Sequence, residues 1–113
     1  MKAQNILLTK DWIVKLADFG SARQKQTVMS KGWGGFTFGY SPRETFNPET
    51  IPSEKVDVYG FGCVLLELFG PDHAPPFHKF SPEQIYAAVV SGRKPPQFEQ
   101  LPDPIKYPDC RCL

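Results

Sequence analysis

Two short apolar runs around a polar turn constrain this chain more than any other feature. The runs are Ile6-Leu7-Leu8 and Ile13-Val14-Lys15-Leu16-Ala17, joined by Thr9, Lys10, Asp11 and Trp12. The pattern predicts a β-hairpin turning about Lys10 and Asp11. Asn5 opens the first run and Asp18 follows the second, so antiparallel pairing sets them side by side. An amide oxygen and a carboxylate that converge are hard oxygen ligands, suited to a magnesium ion that keeps some water and holds phosphate groups. Asp18-Phe19-Gly20 alone is a weak signal. At this spacing after Lys2-x-x-Asn5, across a hairpin, it is a specific one.

A second anchor lies at Asp57-Val58-Tyr59-Gly60-Phe61-Gly62, continuing through Cys63-Val64-Leu65-Leu66-Glu67-Leu68-Phe69. From Val56 to Phe69 apolar residues fall on every side of a helical wheel, which predicts a helix buried all round. Ser53 is its expected N-cap and Gly70-Pro71 its stop. Gly60 and Gly62 each cost about 1 kcal/mol of helix propensity, a cost explained by close backbone packing. With Asp57 and Glu67 inside it, the segment is too short and too charged to span a bilayer. Further on, Ser81-Pro82-Glu83-Gln84 reads as a capping box that opens a helix. Ile85, Ala88 and Val89 form its apolar stripe, and Gly92 with Arg93-Lys94 gives its C-terminal signal.

In these motifs the chain resembles the catalytic domain of eukaryotic-type protein kinases. That family's catalytic loop reads His-Arg-Asp-Leu-Lys-x-x-Asn, followed by a hairpin and Asp-Phe-Gly. Lys2, Asn5, Ile6, Leu7, Leu8, Asp18, Phe19 and Gly20 fall into register with it, and Asp57 to Gly62 matches the start of the large lobe's core helix. The stretch Phe36-Thr37-Phe38-Gly39-Tyr40-Ser41-Pro42-Arg43-Glu44 resembles the close of the activation segment, with Thr37, Tyr40 and Glu44 in place. Phe36 stands where the family has glycine and Arg43 where it has proline. The arginine that pairs with the closing glutamate in the family is absent from residues 1–113. The register sets the catalytic aspartate one place before Met1, as though the reading frame began at an internal methionine. Ser91-Gly92-Arg93-Lys94-Pro95-Pro96 resembles a run of the tyrosine-kinase-like group.

The resemblance implies an α+β fragment: a short β-hairpin followed by the mainly α-helical large lobe of a protein-kinase-like fold. Residues 1–101 are the partial kinase domain and 102–113 a divergent tail. It implies ATP and magnesium as cofactors. Asn5 and Asp18 are the metal ligands, Lys2 neutralises charge on the γ-phosphate, and Leu7 forms the floor under the adenine ring. Phe19, Gly20, Thr27, Ser30, Thr37 and Glu44 belong to the activation segment. Thr27 or Ser30 is a candidate phosphosite and Thr37 a substrate-placing hydroxyl. Asp57 has a structural role, either as a first-turn carboxylate at the positive end of its helix or through hydrogen bonds from the catalytic-loop backbone. Lys2 favours serine and threonine acceptors over tyrosine.

Composition narrows the classes. The 113 residues carry 13 basic and 12 acidic side chains, a net charge of +1 that offers nucleic acid no electrostatic footprint. No signal peptide or apolar span is present, so an intracellular, cytoplasmic protein without a membrane partner is expected. Three cysteines, one inside the core helix, make a disulfide framework a poor fit. Cys110-Arg111-Cys112-Leu113 has the outline of a prenylation tetrapeptide, but its second residue is charged and no polybasic run precedes it. Two function classes follow. One is a fragment of an ATP-dependent serine/threonine kinase acting on protein hydroxyls, inactive as this truncated chain. The other is a non-catalytic, pseudokinase-like interaction module.

Overall fold

The computed structural model describes residues 1–17, 38–51 and 53–102. Asp18, Phe19, Gly20, Thr27, Ser30 and Thr37, together with the Cys-Arg-Cys-Leu tail, lie outside the described residues.

The hairpin forms where the apolar alternation predicts it. Strand β1 (Ile6–Leu8) pairs antiparallel with β2 (Val14–Leu16), with Ile6 opposite Leu16, Leu7 opposite Lys15 and Leu8 opposite Val14. The turn takes one residue more than Lys10 and Asp11. The Trp12 N–H donates to the Thr9 carbonyl at 3.0 Å, and Trp12 itself sits at φ 63°. That left-handed residue after a four-residue turn is the usual geometry of a three-residue hairpin loop. The Thr9 hydroxyl supports it by accepting from the Ile13 N–H at 3.1 Å. The extra residue fixes the register at the open end: the Ala17 N–H donates to the Asn5 carbonyl at 2.7 Å. Asn5 therefore faces Ala17, immediately before Asp18.

Helix α1 spans Lys55–Phe69 and is the element on which the rest is assembled. Ser53 acts one place earlier than a strict N-cap. Glu54 holds the cap position, while the Ser53 hydroxyl accepts from the Lys55 N–H at 3.3 Å and its carbonyl from Val56 at 3.1 Å. Gly70 ends the helix, as the Gly-Pro signal predicts. Tyr40, Cys63 and Val64 form one buried cluster, with Ala3, Ile6 and Tyr59 packed against it. Leu66 forms a second with Phe98 and Leu101.

The expectation of a helix buried all round is corrected. Val58, Phe61 and Leu68 are 45–57% exposed, and with Leu65 they make a stripe at helical spacing. The wheel is apolar on every side, but the described residues cover only the faces carrying Gly60, Gly62, Cys63, Val64 and Leu66. Close packing does explain Gly60. A Cβ there would lie 2.7 Å from the Met1 carbonyl oxygen, so the chain's first residue rests directly on the helix backbone.

Helix α2 (Pro82–Val90) has both of its terminal signals realised. The Ser81 hydroxyl accepts from the Gln84 N–H at 3.3 Å, and the Gln84 side chain accepts from the Ser81 N–H at 2.9 Å. Glu83 lies in this first turn, its carboxylate held below the usual range by its own backbone N–H and then by Ser81. At the other end the Arg93 N–H reaches the Ala88 carbonyl and the Gly92 N–H that of Val89, both at 2.9 Å, with Gly92 at φ 76°. This pair of bonds is a Schellman motif. Ala88 and Val89 bury themselves against Phe77, with Phe46, Phe80 and Ile85 around them.

Ser81→Ala removes the cap and is expected to lower stability by about 1 kcal/mol, seen as a lower urea midpoint with an unchanged slope. Ser81→Asp is expected to keep most of it.

Candidate functional site

Of the sequence-predicted site residues within the described part, Lys2, Asn5 and Leu7 lie on the hairpin and the turn that leads into it. Lys2 is extended, at φ −149° and ψ 156°, and leads into a 3-10 turn over Ala3–Asn5. The Asn5 N–H donates to the Lys2 carbonyl at 3.1 Å, which draws positions 2 and 5 together. Side chains alternate across strands, so Asn5 and Leu7 share one face of the hairpin with their partners Ala17 and Lys15. Ile6 points the other way and packs on the Tyr40–Cys63–Val64 cluster. One face thus anchors the hairpin and the other stays open, with Leu7 52% exposed.

The donor chemistry at this end fits a magnesium–phosphate group. Asn5 is half-buried, its side chain has no hydrogen-bond partner among the described residues, and Lys2 makes no ion pair among them. An amide oxygen and an ammonium on one turn offer a hard ligand and a counter-charge.

Asp57 and Glu44 stand apart from this cluster. Asp57 lies in the first turn of α1, largely exposed, with Oδ1 3.7 Å from the Met1 amine. Glu44 sits in a 3-10 helix over Arg43–Phe46 and has no ion pair among the described residues. Its neighbour Arg43 reaches the end of α2, where a guanidinium nitrogen comes within 3.6 Å of the Cβ position of Gly92.

The segment before Glu44 is fastened by contacts that the sequence pattern does not predict. The Tyr40 hydroxyl donates to the Glu67 carboxylate. The Cys63 thiol donates to the Gly39 carbonyl at 3.3 Å. Gly39 has φ 89°, and a Cβ there would stand 3.0 Å from the Pro76 carbonyl oxygen. Burial pushes the Tyr40 phenol above its ordinary range, with the Glu67 hydrogen bond and charge adding to it. Tyr59 is pushed up as well, by burial first and then by Cys63 and Glu44. The available signal was Glu67, a lone acid on the later turns of an otherwise apolar helix.

His78 is exposed, with its Nδ1 2.8 Å from Gln97 Nε2 and its Nε2 3.6 Å from Asp72, within a loop that also includes the Lys79–Asp72 ion pair.

Comparison with known proteins shows the family. The family model for protein tyrosine and serine/threonine kinases matches residues 1–112. Probable serine/threonine-protein kinase SIS8 of Arabidopsis thaliana is 36% identical over 91 residues, covering 79% of this chain and 8% of that protein. Serine/threonine-protein kinase pakH of Dictyostelium discoideum is 36% identical over 107 residues, 95% of this chain and 20% of that protein. Wall-associated receptor kinase 2 of Arabidopsis thaliana is 34% identical over 110 residues, 91% of this chain and 14% of that protein. The chain belongs to the protein kinase family, and it spans a fifth or less of the length of these relatives.

Cys63 yields a pH prediction. Burial pushes its thiol from 9.0 up to about 12, and the hydrogen bond with Tyr59 offsets only part of this. Below the unfolded value both states keep the proton and the contribution to stability is complete. Above it the unfolded chain ionises first, so stability falls as pH climbs towards the folded value. In a Cys110→Ser/Cys112→Ser background, the urea midpoint is expected to drop between about pH 8 and 11. Cys63→Val is expected to make that slope shallower, and an unchanged slope would refute this role for the thiol.

Proposed function

We propose that this chain is the catalytic-loop end, activation segment and core of the large lobe of a serine/threonine kinase, which moves the γ-phosphoryl of ATP to a protein hydroxyl. The observation that carries this reading is the hairpin register. It sets Asn5 across from Ala17, the residue that precedes Asp18 in the sequence. Phosphoryl transfer depends mainly on positioning and charge neutralisation, and these are the tasks the residues at this end can perform. Asn5 and Asp18 hold magnesium, Lys2 neutralises the γ-phosphate, and Leu7 supports the adenine from the open face of the hairpin. Magnesium, when bound, supplies charge compensation at the phosphates. Thr37 places the acceptor hydroxyl, Thr27 or Ser30 takes an activating phosphate, and Asp57 holds the start of α1 to the segment that carries Lys2. An intracellular setting fits this chemistry.

The family's catalytic aspartate, glycine-rich loop and small-lobe lysine are not among residues 1–113, so phosphotransfer is proposed for a longer form and not for this chain alone. A second reading, a non-catalytic interaction module, draws on Phe36 and on Arg43. An in-frame His-Arg-Asp upstream of Met1 would support the enzyme, and its absence the module.

In an in-frame extended protein, phosphotransfer is expected, and Asp18→Ala is expected to abolish it because a metal ligand is lost. Undiminished phosphate incorporation by that variant would remove Asp18 from the mechanism. Residues 1–113 alone are expected to bind ATP·Mg²⁺ weakly, having one wall of the cleft. Calorimetry giving micromolar affinity would contradict this.

A further inference from the structure

The loop between α1 and α2 is tied to a later turn of the chain by one buried amide. Gln97 stands in a 3-10 helix over Pro96–Gln100 and is 5% exposed. Its Nε2 donates to the Pro75 carbonyl at 3.1 Å and lies 2.8 Å from His78 Nδ1. The same carbonyl accepts the His78 backbone N–H at 3.1 Å, so both of its lone pairs are engaged. Gln97 Oε1 is buried without a hydrogen-bond partner among the described residues.

These contacts leave one assignment. An amide turned over would set Oε1 against the Pro75 carbonyl, oxygen on oxygen, and bury an NH2 group where no described acceptor stands. Nε2 therefore gives one hydrogen to Pro75 and the other to His78. Nδ1 is then the bare, accepting nitrogen, and the neutral ring carries its proton on Nε2. That nitrogen faces the Asp72 carboxylate at 3.6 Å, and Lys79 Nζ lies 3.8 Å from the same oxygen. Among the described residues, Asp72 and Lys79 are the charged groups that face the ring from its own loop. From the 3-10 helix the ring meets Gln97, which has no charge at any pH. The His78 side chain is 25% exposed, so solvent protons reach it.

We propose that His78 and Gln97 form a proton-controlled joint. While Nδ1 is bare, the amide bridges ring and carbonyl and holds the loop to the 3-10 helix. When a proton from solvent occupies Nδ1, an N–H points at an NH2 group and the bridge breaks. The amide then keeps Pro75 and leaves the ring, or turns over to meet the ring and loses Pro75. Neighbours on both sides feel the change. Phe98, next to Gln97, packs with Leu66 and Leu101. Pro76, next to Pro75, sets its carbonyl against Gly39. The joint owes nothing to phosphoryl transfer and stands whether or not a longer form of the chain is active.

Long-range proton–nitrogen correlation spectra of the full chain test this. With the ring neutral, Nδ1 is expected to resonate as a bare nitrogen and Nε2 as a protonated one. As the pH is lowered through the ring's titration, the Gln97 side-chain NH2 and the Leu101 backbone amide are expected to shift with the same midpoint. Gln97→Glu puts an acceptor where the donor stood and is expected to move the neutral ring's proton to Nδ1. Asp72→Asn is expected to leave the tautomer and the coupled shifts as they are. A neutral parent ring protonated at Nδ1, or shared evenly between the two forms, overturns the proposal. So do Gln97 resonances that ignore the titration, an unchanged tautomer in Gln97→Glu, or a reversed one in Asp72→Asn. The parent chain alone reports the tautomer and the coupling, so a variant that fails to fold does not shelter the idea.

Discussion

A phenol donating to a carboxylate inside an apolar cluster holds the two halves of this molecule together. Tyr40 belongs to the segment that leads into the Arg43–Phe46 turn, and Glu67 to the later turns of α1. Burying either group without the other would leave a polar atom stripped of water, at a cost of about 1–3 kcal/mol. The pair is therefore made together or not at all. With the Cys63 thiol on the Gly39 carbonyl, it leaves the 39–40 backbone little freedom to slide along the helix. Gly39 adds a steric reason, since its positive φ and the nearby Pro76 carbonyl exclude a larger residue.

The hairpin uses its two faces differently. Ile6 gives one face to the core, and that single anchorage orients Asn5 and Leu7 outward. Site and scaffold are thus two consequences of one alternation. A shift of one residue in register would exchange them, sending Asn5 and Leu7 inward. The Trp12 loop sets that register, although it lies at the far end from the residues it positions.

Local signals were the legible ones. The hairpin, the Ser81–Gln84 box and the Gly92 stop each depend on residues a few positions apart. The turn is one residue longer than its polar pair suggests because Trp12 takes the left-handed position, which tryptophan seldom occupies. Ser53 lay one place from its expected role for a similar reason: a serine can bond the backbone in more than one nearby frame. The Tyr40–Glu67 and Cys63–Gly39 contacts join residues 27 and 24 positions apart, and neither partner signals the other. The exposed face of α1 was illegible for a different reason. A helical wheel records which side chains are apolar but not which neighbours the chain supplies to cover them.

The contact between Gly60 and Met1 also bears on how the chain reaches this arrangement. The hairpin turn and α2 close over a handful of residues, whereas the chain's first residues meet α1 only across an excursion of roughly sixty positions. Loop-closure entropy grows slowly with such a span, but it falls due before the contact can repay it. Position 60 carries no side chain, so the reward comes from backbone lying flat on backbone and not from a deep apolar insertion. In kinetic terms, this joint is the part of the fold whose formation owes most to the encounter of elements already built.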